Sequence, residues 1–218
     1  MEDAIIIRNL LPAVFAGEES AHTGSDIWLM PERGFLRGER YLIRAASGKG
    51  KSSLCAFLYG SRGDYSGTIR LDGRDLRSLG RGEILVLRRD TIAYLPQDMR
   101  LFGSLTALEN IELKNRLTNC KSRDEILNMM DAVGIADCAG RPAGRLSIGQ
   151  QQRVAIVRAL CQPFRYLLLD EPVSHLDAET NKAAATLIDR ETARAGAAVI
   201  VTSVGNDLLL PSMQRLNL

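Results

Sequence analysis

The period of the hydrophobic pattern changes several times along this chain. Short apolar or β-branched runs at residues 4–8, 40–45, 67–71, 91–95, 166–170 and 197–202 predict strands. Helical spacing occupies 53–59, 106–116, 122–133, 150–161 and 177–195. The run Tyr166-Leu167-Leu168-Leu169 has no polar alternation and ends in Asp170, the pattern of a strand buried on both faces of a parallel sheet. Ser122 followed by Glu125 predicts a capping box at a helix start. Strand–helix alternation of this kind predicts an α/β fold with a largely parallel sheet. Residues 98–152 break the alternation, carrying helical patterns and no convincing strand. They read as a helical lobe inserted into a core formed by 1–97 and 153–218, all within one domain of 1–218. Residues 16–26 are polar and contain glycine, which predicts a loop or an irregular hairpin.

Composition narrows the classes further. A chain of 218 residues can bury one full core. Its 45% hydrophobic and 25% charged residues are those of an ordinary globular protein. The net charge of +2, with scattered Lys and Arg, gives no field for nucleic acid or an acidic membrane surface, so no nucleic-acid partner is expected. No run approaches the roughly 20 apolar residues needed to span a bilayer. The acidic opening Met1-Glu2-Asp3 is unlike the basic start of a signal peptide, so a cytoplasmic chain is expected unless a partner holds it at a membrane. Cys55, Cys120, Cys138 and Cys161 form no C-x-x-C pair, and His22 and His175 are the only histidines; reduced thiols are expected rather than a zinc site.

Two local motifs carry chemistry. The segment Ala45-Ala46-Ser47-Gly48-Lys49-Gly50-Lys51-Ser52-Ser53 follows a strand and opens a helix. Glycines there let backbone N–H groups approach a phosphate, and the helix start favours an anion. Lys51 would reach the β- and γ-phosphates, and Ser52 would ligate Mg²⁺. Ala45 stands where the pattern G-x-x-x-x-G-K-[ST] has its first glycine, so alone the segment also suits a plain glycine-rich turn. At the carboxyl end of the 166–170 run, Asp170 would hold Mg²⁺ and Glu171 would polarise a water. With Pro172 next, a solvated acidic turn fits that pair equally well.

Between these motifs lies Leu146-Ser147-Ile148-Gly149-Gln150-Gln151-Gln152-Arg153. It resembles the L-S-G-G-Q signature of ATP-binding cassette (ABC) proteins and the Q-Q-R that often follows. By itself the segment also suits a helix capped by Ser147. Tyr94-Leu95-Pro96-Gln97 resembles the family's glutamine loop, and Ser174-His175-Leu176-Asp177 its D-loop. The order of motifs is that of the family, and the resemblance covers nearly the whole chain. Residues 99–113 look most like the cassettes of lipoprotein-release, macrolide-export and cell-division complexes.

The resemblance implies a P-loop NTPase fold, with a mainly parallel core sheet, an N-terminal antiparallel β region and the helical lobe. It implies an ATP-binding transporter subunit that uses ATP and Mg²⁺. Its partners would be transmembrane permease subunits and a second cassette, in a homodimer or heterodimer on the cytoplasmic face of the membrane. Ser47, Gly48, Lys49, Gly50, Lys51, Ser52 and Ser53 would bind nucleotide. Ser52, Gln97 and Asp170 would hold the metal, with Glu171, Gln97 and Ser203 at the reacting end. Ser147, Gly149 and Gln150 would meet the ATP of the opposite subunit, and Asp177 would lie at the dimer interface. Phe15 is the candidate for stacking on adenine, worth about 1 kcal/mol; Trp28 is less well placed, and Phe15 equally suits the core.

Three positions depart from the family pattern. Ala45 replaces a glycine, and Ile148 replaces the first glycine of the signature pair, where a β-branched side chain would crowd the facing ATP. Ser203 stands where a histidine usually contacts the γ-phosphate, and it is shorter and uncharged. Slow hydrolysis is therefore expected, and a nucleotide-binding regulatory subunit with little turnover is the alternative. A non-transport cassette protein or a phosphate-loop kinase fits less of the chain.

Overall fold

A computed structural model describes residues 3–218. Met1 and Glu2, on which part of the reading of the acidic start rests, lie outside the described residues.

Two sheets face each other. Strands β1 (Ala4–Pro12), β2 (Arg33–Leu36), β4 (Tyr65–Leu71) and β5 (Arg74–Asp75) form an antiparallel sheet in the order β2-β1-β4-β5. Strands β3 (Arg40–Arg44), β6 (Ile92–Leu95), β7 (Tyr166–Asp170), β8 (Ala198–Ser203) and β9 (Gln214–Asn217) form a parallel sheet in the order β6-β7-β8-β3-β9.

Period-two geometry explains the uninterrupted apolar runs. In β7, Tyr166 and Leu168 join one cluster with the antiparallel sheet and helix α1 (Lys51–Leu58). Leu167 and Leu169 point the other way, into a cluster with α5 (Ile148–Ala159) and α6 (Ala178–Ala195). Strand β8 divides in the same manner, Ala198 and Ile200 against Val199 and Val201. Every position of β7 and β8 is buried, so neither strand needs a polar face.

Residues 98–152 contain helices α3 (Ala107–Asn115) and α4 (Arg123–Ala132) and the start of α5, and no strand. Thr106 and Ser122 cap α3 and α4, each with its glutamate three residues on closing a capping box. The expected inner limit of the lobe at residue 152 falls inside α5. That helix belongs to both parts, because Val154, Ile156 and Val157 pack in the same cluster as Ile111, Met130 and the strands.

Four elements had no counterpart in the sequence pattern. Helix α2 (Arg81–Asp90) fully buries only Leu87 and leaves Leu85 and Val86 exposed, so its run of four apolar residues does not mark its buried face. Strands β2, β5 and β9 are short edge strands, the last two mostly polar. Segment 16–26 is an irregular stretch containing a short 3-10 turn, Glu19–His22. Among the described residues no helix is long and apolar enough to cross a membrane.

Candidate nucleotide-binding site

Parallel strands bring three loops to one edge of the sheet. In register, Asp170 lies opposite Thr202, and Arg44 opposite Ser203, so β7, β8 and β3 end together. The segment after β3 runs directly into α1, with Gly50 as its N-cap. Gly50 has φ 93°, and a Cβ there would stand 3.0 Å from the Trp28 ring and 3.1 Å from Phe15, so only glycine fits. No side chain caps α1 at Gly50, which leaves the first-turn amides for an anion.

Phe15, Ser47, Gly48, Gly50, Lys51, Ser52, Ser53, Gln97 and Glu171 line one cavity of about 300 Å³. Phe15, half-buried, rests its ring on His22 at 4.4 Å and presents an aromatic wall. Trp28 is buried beneath the loop, where its indole N–H donates to the Lys49 carbonyl at 3.3 Å. It therefore supports the loop and cannot stack on a ligand. Lys49 itself is exposed. The Ser53 hydroxyl accepts from Arg62 at 3.0 Å.

Lys51 is only 5% exposed. Its ammonium donates to the Ala45 and Ala46 carbonyls at 3.0 and 2.9 Å and stands 3.6 Å from Glu171 Oε1. Ala45 does not adopt the left-handed conformation that would demand glycine, so the first departure from the motif carries no backbone strain. Glu171 does adopt it, with φ 51°.

Asp170 is buried at the end of β7. One carboxylate oxygen accepts the Thr202 hydroxyl at 2.5 Å; the other is buried without a partner. Asp170 is not on the cavity wall, but it directly precedes Glu171, which is. Its orphaned carboxylate oxygen and the exposed Ser52 and Gln97 of the wall are hard oxygen donors of the kind Mg²⁺ takes. Burial first, and the Asp170 charge second, push the neighbouring Cys55 thiol well up. Burial likewise raises the Tyr94 phenol.

The other expected site residues lie elsewhere. Among the described residues, the cavity lining does not include Ser147, Gly149 or Gln150. They form the start of α5, where Ser147 Oγ accepts from the Gln150 N–H at 3.3 Å. The Gln150 side chain is engaged as well, accepting from the Ser147 N–H at 3.0 Å. Ile148 is 48% exposed, so its side chain meets no resistance within this chain. At Gly149 a Cβ would lie 3.1 Å from the His175 carbonyl oxygen, which accounts for the retained glycine. Asp177 is the N-cap of α6, accepting from the Thr180 N–H at 2.8 Å. Ser203 is buried, and its hydroxyl accepts from the Gly205 N–H at 3.0 Å and donates to the Asn206 carbonyl at 3.2 Å.

Sequence patterns gave no separate role to Thr202 or Gln152, and weighed Trp28 only for adenine stacking. Each acts through a partner distant along the chain, and only the fold brings the pairs together.

A phosphate loop at the carboxyl edge of a parallel sheet, facing an acidic strand end, defines a nucleotide-binding α/β domain of the P-loop class. Residues 34–174 match the family model described as ABC transporter, and the chain belongs to that family. A macrolide export ATP-binding/permease protein MacB of Paracoccus denitrificans is 37% identical over 169 residues, covering 76% of this chain and 25% of that protein. A lipoprotein-releasing system ATP-binding protein LolD of Chlorobium chlorochromatii is 35% identical over 158 residues, 71% of this chain and 64% of the relative. The matched region thus spans between a quarter and about two thirds of the length of these relatives. Among solved structures, the dimeric bacterial ABC transporter cassette MJ0796 superposes with a TM-score of 0.75 at 25% identity, covering 98% of this chain and 94% of that one. A post-hydrolysis dimer of the same cassette, bound to ADP and Pi, gives 0.73 at 26% identity, covering 93% and 88%.

Proposed function

We propose that this chain is the ATP-binding subunit of an ABC transporter. It couples Mg-ATP binding and hydrolysis, in a dimer of cassettes, to movement of membrane-spanning permease subunits. The observation that carries the reading is the meeting of Lys51 and Glu171 at 3.6 Å in the phosphate-loop cavity, with Asp170 and its unpartnered oxygen one residue before Glu171.

Phosphates entering the cavity meet the α1 amides and take the Lys51 ammonium from the loop carbonyls that now hold it. Ser52, Gln97 and Asp170 would hold a magnesium ion, which would supply charge neutralisation on the phosphate oxygens. Glu171 accepts a proton from the water that attacks the γ-phosphorus as the bond to the bridging oxygen breaks. Phe15 offers a face to adenine. In the dimer, Ser147 and the Gly149 amide at the start of α5 approach the ATP of the second copy, and Asp177 lies near that contact. The assembly sits on the cytoplasmic face of the membrane through its permease partners. Relatives include both export and import subunits, so the direction of transport belongs to those partners.

Turnover is slow, because Ser203 offers the γ-phosphate no imidazole and its hydroxyl is spent within its own turn. That same observation favours a second reading, a regulatory cassette that closes on ATP with little hydrolysis. Measuring ATPase activity alongside ATP-dependent dimerisation separates the two. Dimerisation with turnover supports the transport ATPase, and dimerisation without turnover supports the regulatory subunit. A purified chain that binds no Mg-ATP overturns both.

A further inference from the structure

One buried amide joins α5 to the loop that follows β7. Gln152 lies in the second turn of α5 and is 2% exposed. Its Nε2 donates to the Glu171 carbonyl at 3.0 Å and to Ser174 Oγ at 3.2 Å, and its Oε1 accepts the His175 N–H at 3.0 Å. One carboxamide is both donor and acceptor, which neither a carboxylate nor an ammonium can be.

The target of this clamp is strained. Glu171, at φ 51°, sits in the left-handed region, which non-glycine residues occupy only where their surroundings hold them. Its N–H donates to the Thr202 carbonyl at 3.2 Å, and its own carbonyl receives Gln152 together with the Ser174 N–H at 3.4 Å. A change in the backbone conformation of Glu171 out of this arrangement would re-aim its side chain, whose carboxylate stands 3.6 Å from Lys51. The first turn of α5 rests on the same segment, Gly149 lying directly against the His175 carbonyl.

We infer that Gln152 is a positioning residue that ties the placement of the amino end of α5 to the orientation of the Glu171 carboxylate. It touches no reacting atom. Whatever engages Ser147 and Gly149 shifts α5, and the amide of Gln152 carries that shift to Glu171. The inference rests on the reading of Glu171 as the group that accepts the proton from water.

The test uses the full chain and the Q152M variant, whose unbranched side chain keeps the volume and loses the amide. Equilibrium binding of labelled Mg-ATP is measured beside single-turnover release of labelled phosphate. Q152M should bind ATP within about twofold of the wild type, while phosphate release slows about tenfold to a hundredfold, the scale of an ångström-level misplacement. If Q152M does not fold, Q152E reads the same point. It keeps the bond from His175 and sets an oxygen against the Glu171 carbonyl, and the same split is expected. Release within twofold of the wild type in the folded variant overturns the inference, as does a parallel loss of binding and release, which marks a merely structural role. A wild-type chain that neither binds nor cleaves ATP overturns the functional reading, and this inference with it.

Discussion

The Thr202 hydroxyl donates to Asp170 Oδ1 at 2.5 Å, across neighbouring parallel strands whose register sets the two residues side by side. The second oxygen of Asp170 is left buried and unpaired. Thr202→Val keeps the shape and removes the donor. We expect a loss of about 1–3 kcal/mol in stability without ligand, the penalty for a buried acceptor left bare. Denaturant unfolding with and without Mg-ATP checks this, and the deficit should shrink when the ligand is present. An equal deficit in both conditions would count against a metal-facing Asp170.

Lys51 and Glu171 should separate binding from turnover. Lys51→Met removes charge-assisted contacts to phosphate and should weaken ATP binding about tenfold to a hundredfold. Glu171→Gln should bind normally and lose about a hundredfold or more in hydrolysis, as removal of a general base does. Titration with labelled ATP and steady-state phosphate release report the two quantities. Normal hydrolysis by Glu171→Gln would assign the base elsewhere.

Ser203→His should raise turnover several-fold, by the general acid–base and hydrogen-bonding contribution that serine lacks. It also breaks the bonds to Gly205 and Asn206, so melting should shift down by the equivalent of about 1 kcal/mol. Unchanged turnover in a folded variant would remove position 203 as the cause of slow hydrolysis.

Acid should weaken the capped helices of the lobe. The backbone N–H of Thr106 holds the Glu109 carboxyl below its usual range, and the N–H of Ser122 does the same for Glu125. A carboxylate with a depressed folded value contributes stability above its ordinary value, near 4, and loses it as pH falls through the folded one. Melting temperature should therefore fall from about pH 5 downward, and less steeply in Glu109→Gln/Glu125→Gln. Identical slopes would show that these caps do not govern the acid response.

The phosphate loop, the acidic strand end and the helix caps were legible in the sequence because each is built from residues a few positions apart. The buried runs in β7 and β8 were legible for a different reason, since their lack of alternation reports a sheet covered on both faces. Helix α2 was not legible, because its apolar residues Leu85 and Val86 face outward and mimic a strand run. The partners of Gln152 lie 19 to 23 positions along the chain, and no local pattern announces an amide that bonds to a distant backbone. Phe15 and Trp28 show the same limit. Both lie against Gly50, yet one lines the cavity while the other is sealed beneath the loop.

Trp28 is the single tryptophan of the chain, and its indole N–H is bonded to the carbonyl of Lys49 inside the phosphate loop. Light absorbed and re-emitted by this protein at tryptophan wavelengths therefore comes from one ring, set against the segment that would close on a nucleotide. Any rearrangement of Lys49 or Gly50 alters the polarity and hydrogen bonding around that ring. The emission of the unlabelled chain is a built-in optical gauge of loop state, in which a shift on adding nucleotide needs no apportioning among several fluorophores.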